Sequence, residues 1–125
     1  AKKLYQKDPY SIFMSKGFIY TAKRFLGLHT PGLAEDVFPY HNPQAKWKAY
    51  RSIKTPAAVI IGSRDEYLTG PAKELIEIFR DHSRAKSFSG VIVRGANHSF
   101  IKKEKELAKV IVDWINPVRE KRRKL

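Results

Sequence analysis

The stretch "PAAVIIGSRDEYLTGPAKELIEIFRDHS" (residues 56–83) decides how this chain folds. Residues 57–62 form a continuous apolar run ending in Gly62, the pattern of a strand buried on both faces. A polar loop follows, and Pro71 then stands at an expected first helical position. Ala72, Leu75, Ile76 and Phe79 recur at i, i+3, i+4 and i+7, which places them on one helical face. Further along, "SFSGVIVRG" (87–95) repeats the strand pattern with Val91, Ile92 and Val93 at its centre. "KEKELAKVIVDWI" (103–115) repeats the helical one through Leu107, Val110, Ile111 and Trp114. Strand, helix, strand, helix is a βαβα unit, so the fold class is α/β, with two parallel strands and a right-handed crossover.

Towards the N-terminus the regularity fades. Residues 1–55 are rich in aromatics, lysine and turn formers. "KGFIYTAKRFLGLHTPG" (16–32) puts Phe18, Ala22, Phe25 and Leu26 on one helical face, and "HTPG" stops it. "VFPYHNPQ" (37–44) is turn-like, and "QAKWKAYRSI" (44–53) suggests another short helix. No strand alternation is evident there. The expected organisation is a helical segment over 1–55, the βαβα core over 56–116 and a basic tail over 117–125. Pro117 is expected to end the last helix and leave that tail exposed.

Composition narrows the function classes. An apolar fraction of 42% with seven Phe, six Tyr and two Trp supports a packed core and argues against disorder throughout. Cysteine is absent, which excludes a disulfide scaffold and thiolate metal sites and suits a reducing cytosol, so a cytoplasmic location is expected. No apolar run approaches the roughly 20 residues of a membrane span. His29, His41 and His82 show no metal-ligand spacing, and nothing implies a cofactor. The net charge of +13 reads as a solvated basic face and a frayed tail, in which five basic residues meet one acid. The competing reading is an anionic partner, but no nucleic-acid-reading element accompanies the charge.

The chemistry lies in the two loops that follow the strands. The first, "GSRDEYL" (62–68), carries Asp65, and the second, "GANHSF" (95–100), carries His98. Ligands of open parallel sheets bind outside the carboxyl ends of the strands, so adjacent parallel strands bring both loops to one edge. An aspartate there can hold the Nδ1 proton of the histidine and leave Nε2 as a general base. Gly62 and Gly95 permit sharp turns as each strand ends.

These segments resemble the last two strand–helix pairs of the α/β-hydrolase superfamily. The resemblance covers about residues 53–116, through "TP", an apolar strand, "GxxDxxL", a second strand, "GAxHxF" and a terminal helix ending in Trp. It implies that Asp65 is the acid and His98 the base of a Ser-Asp-His triad acting on a carboxylic ester or related acyl substrate. Glu66 adjoins Asp65, but the family places its acid three residues after the strand-ending glycine, which selects Asp65. Residues 1–55 occupy the position of the family's variable lid. The nucleophile elbow Gly-x-Ser-x-Gly is missing, and "SFSG" (87–90) both lacks the first glycine and lies between acid and histidine. The loops that supply oxyanion donors are missing too. The serine and oxyanion hole are therefore expected from an N-terminal half of the same hydrolase. Two parallel strands with open edges are expected to fold stably only against that half, or against a second copy. A non-catalytic binding module that uses its basic surface on an anionic partner is the alternative.

Overall fold

A computed structural model describes residues 1–33, 36–40 and 42–123. The chain is mixed α/β and divides into two units, Ala1–Lys46 and Trp47–Leu125. Among the described residues no helix is long and apolar enough to cross a membrane.

The first unit contains α1 (Lys2–Lys7), β1 (Ile12–Ser15), β2 (Phe18–Thr21) and α2 (Ala22–His29). The strands pair antiparallel, with Phe13 opposite Tyr20 and Ser15 opposite Phe18. This corrects the expectation of one helix through Phe18. Lys16 and Gly17 both take positive φ (49° and 81°), the two-residue turn whose twist suits a hairpin, so Phe18 folds back onto β1. The helix starts only at Ala22, where Thr21 caps it by accepting the Arg24 N–H at 3.1 Å. Phe13 and Tyr20 lie on one face of the hairpin and pack against Phe25 of α2, with ring centroids 5.1 and 5.4 Å away. The opposite face leaves Ile12, Met14 and Ile19 about 70% exposed.

The second unit opens with α3, the single turn Lys48–Arg51, and continues with β3 (Ala57–Gly62), α4 (Ala72–His82), β4 (Phe88–Val93) and α5 (Glu104–Arg123). Strands β3 and β4 are parallel in the register Ala57 opposite Phe88 through Gly62 opposite Val93, as the two apolar runs predict. Among the described residues the sheet holds these two strands alone, so each strand has one unpaired edge. Ile61, Ala72 and Ile76 form the buried centre between sheet and α4, with Val59, Leu68, Leu75 and Phe88 packed round it. Gly90 belongs to the same face, because a Cβ there would collide with Ile76 Cγ2. The alternate residues Ser89 and Val91 line a shallow groove of about 530 Å³ with Val110 and Trp114 of α5, so the helices cover opposite faces.

Three sequence expectations shift in this unit. Residues 47–55 group with the core unit rather than with the N-terminal segment. The reason is packing: the Trp47 and Tyr50 rings each lie 5.4 Å from Phe79, and the Tyr50 hydroxyl donates to the Phe79 carbonyl at 2.9 Å. Pro71 serves as N-cap with ψ 135°, so α4 starts one residue later, at Ala72. Pro117 lies inside α5 and does not end it. Asn116 and Pro117 are both exposed, so the Asp113 carbonyl left without an N–H donor can be hydrated and the helix continues. Pro117, Arg119, Glu120 and Arg123 are exposed, while residues 124 and 125 lie outside the described residues.

Candidate active site

The loops after β3 and β4 are joined bond by bond. The Ser63 N–H donates to the Val93 carbonyl at 3.0 Å, and the Arg64 N–H to the Ala96 carbonyl at 2.9 Å. In return the Gly95 N–H donates to Ser63 Oγ at 2.8 Å. Gly62 makes this approach possible, since a Cβ there would fall 2.7 Å from the Asn97 carbonyl oxygen and 2.8 Å from the Ala96 carbonyl carbon. Gly95 turns the second loop at φ 75°, a conformation that suits glycine.

On this frame Asp65 Oδ2 lies 2.8 Å from His98 Nδ1. A carboxylate accepts, so the ring donates from Nδ1, and in the neutral imidazole Nε2 then carries the free lone pair. The other aspartate oxygen, Oδ1, accepts the Tyr67 N–H at 2.9 Å, which fixes the carboxylate plane. The Asp65 side chain is 13% exposed and that of His98 57%, so the acid is sheltered and the base faces outward. The Tyr67 ring and the imidazole meet in a T-shaped arrangement at a centroid distance of 4.7 Å. The result is an oriented imidazole able to accept a proton at Nε2 and stabilised by a carboxylate when it does.

The structure brings together Asp65 and His98, the two site residues expected from the sequence. From the sequence Glu66 is only a rival acid. Glu66 instead accepts the backbone N–H of His98 at 3.0 Å through Oε2. That N–H holds the Glu66 carboxyl below the usual glutamate range. Ser63 and Tyr67 also take part, and only their adjacency to Asp65 could have drawn attention to them.

The remaining described histidines stand apart from this pair. His29 packs on Phe25 at 4.4 Å. His82 stacks on Trp47 at 4.4 Å and has Nδ1 2.9 Å from the Ile78 carbonyl. His41 lies outside the described residues. Among the described residues no three His, Asp or Glu side chains cluster as a metal site would require. No family model, no curated protein and no solved structure matches this chain.

Proposed function

We propose that this chain supplies the acid and the base of a serine hydrolase acting on carboxylic esters or related acyl substrates. The observation that carries the reading is the 2.8 Å contact between Asp65 Oδ2 and His98 Nδ1, just past two parallel strands. In this mechanism His98 Nε2 takes the proton of a serine hydroxyl as its oxygen attacks the acyl carbon. Asp65 stabilises the imidazolium, which returns the proton to the departing alkoxide. Water then releases the acyl group by the same base catalysis.

The serine and the oxyanion donors come from polypeptide outside residues 1–125, because no Gly-x-Ser-x-Gly occurs within them. The edges of β3 and β4 that no strand pairs among the described residues support the same reading, since a partner supplying further strands would complete the sheet. A binding module that uses the +13 charge on an anionic partner is the competing reading; it leaves the oriented histidine without a purpose.

The test is turnover of a short acyl ester by the chain alone and by the chain joined to the polypeptide that completes its sheet. The expected result is no turnover alone, and turnover in the joined form that His98→Ala abolishes. Turnover by the chain alone, blocked by His98→Ala, overturns the external serine. A folded joined form without turnover overturns the hydrolase reading.

A further inference from the structure

We propose that Glu66 is a positioning residue that holds the backbone of His98 while its neighbour Asp65 holds the ring. The proposal rests on the hydrolase reading above, and it adds a residue to which that reading gives no role. His98 would then be fixed at both ends by consecutive carboxylates of a single loop. The backbone N–H of His98 donates to Glu66 Oε2 at 3.0 Å, and its ring meets Asp65 Oδ2 at 2.8 Å.

The histidine segment needs such a hold. Residues 94–103 belong to neither β4 nor α5. Within them Phe100 and Lys102 adopt positive φ, 55° and 60°, a region disfavoured for side chains other than glycine. Backbone bonds anchor the neighbours of His98, with Ala96 N–H to Val93 and Phe100 N–H to Asn97, whereas the His98 N–H turns to Glu66. Local turn structure therefore anchors the loop on either side of His98, and a side chain anchors it at the base itself.

Both carboxylates can point at one residue because the chain bends between them. Asp65 Oδ1 accepts the Tyr67 N–H at 2.9 Å, and the Leu68 N–H reaches the Asp65 carbonyl at 3.2 Å. An ionised acceptor gives a stronger bond than a neutral one, and the His98 N–H in turn favours the ionised form of Glu66. Asp65 then selects the tautomer, and Glu66 sets where the imidazole stands.

The experiment is nuclear magnetic resonance of the isotope-labelled full chain in the assembly it forms, read at the His98 amide and ring nitrogens. On acidification the His98 amide proton should move with a midpoint below the ordinary glutamate value of about 4.3. Asp65→Asn should keep that titration. Glu66→Gln should remove it yet retain the Nδ1-protonated ring, because the amide oxygen still accepts. Glu66→Ala should remove it and let the neutral ring relax towards mixed tautomers. In the joined form, kcat should fall about tenfold in Glu66→Ala at unchanged KM and recover in Glu66→Gln. A His98 amide that titrates unchanged in Glu66→Ala, or a ring that keeps its tautomer there, overturns the clamp whatever the activity. An intact clamp in a joined form without turnover overturns the hydrolase reading, and the positioning role falls with it.

Discussion

Gly62→Ala should damage the site more than any other single methyl group added to this sheet. The new Cβ would stand 2.7 Å from the Asn97 carbonyl oxygen, 2.8 Å from the Ala96 carbonyl carbon and closer still to the Ala96 oxygen. All three are backbone atoms, so no rotamer change relieves the contact. Reaching an ordinary separation of roughly 3.5 Å requires the second loop to withdraw by about 1 Å. The Arg64 N–H to Ala96 bond, 2.9 Å long, would then lengthen past useful range, and His98 two residues on would move with it. Overpacking of this kind costs about 1–3 kcal/mol, or a Tm lower by roughly 3–15 °C for a domain of this size. A 1 Å misplacement of the base costs about a hundredfold in turnover. Gly90→Ala is the matched control, since its Cβ would collide with the Ile76 side chain of the buried cluster, away from both loops. Circular-dichroism melts and the His98 ring nitrogen shifts separate the two. Both variants should melt earlier, and only Gly62→Ala should disturb the His98 tautomer. A Gly62→Ala protein with native melting and native ring shifts would refute the close-approach argument. Equal disturbance of His98 by both variants would refute its locality.

Asp65→Asn should lower joined-form turnover by about 10⁴-fold, because the amide can donate to Nδ1 and favour the wrong tautomer. Melting should change little, and a variant that keeps a tenth of the activity would remove Asp65 from the acid role. Tyr50→Phe should cost about 1 kcal/mol, since it leaves the buried Phe79 carbonyl short of the hydroxyl it accepts at 2.9 Å. Burial raises the Tyr50 hydroxyl pKa, against a smaller lowering by the Ser83 hydroxyl. The unfolded chain therefore ionises this group first: its stabilisation is complete below about pH 10 and is lost as pH climbs through the higher folded value. A pH series of denaturant melts should show that alkaline loss shrinking in Tyr50→Phe, and identical alkaline limbs would contradict the burial argument. Removal of residues 117–125 should shift Tm by no more than about 2 °C, since Pro117, Arg119, Glu120 and Arg123 are all exposed. A larger shift in a scanning melt would show that the end of α5 packs against something.

The sequence by itself determined the parallel strand pair of the second unit and the two residues that meet at its edge. Residues 57–62 are an apolar run of strand length, 88–93 is centred on the apolar Val91, Ile92 and Val93, and the intervening helix repeats with a period near 3.6, so a parallel pair was the economical arrangement. Once the strands are parallel, both following loops share one edge, and Asp65 meets His98 although 33 positions separate them. The first unit was not legible in the same way, because Phe18, Ala22 and Phe25 suit a helix face as readily as a strand leading into a helix. What decided it was the left-handed backbone turn at Lys16 and Gly17 together with the Thr21 side-chain cap, neither of which hydrophobic periodicity encodes. The same limit applied at Pro117, where exposure lets water replace a lost hydrogen bond within the helix. Glu66 shows the difference most clearly. It shares with Asp65 only the carboxylate group, and its role depends on the direction in which a bent loop aims each of two adjacent carboxylates. Residue chemistry and period are local and survive in a linear string, whereas the aim of a side chain across two loops exists only when both strands are in register.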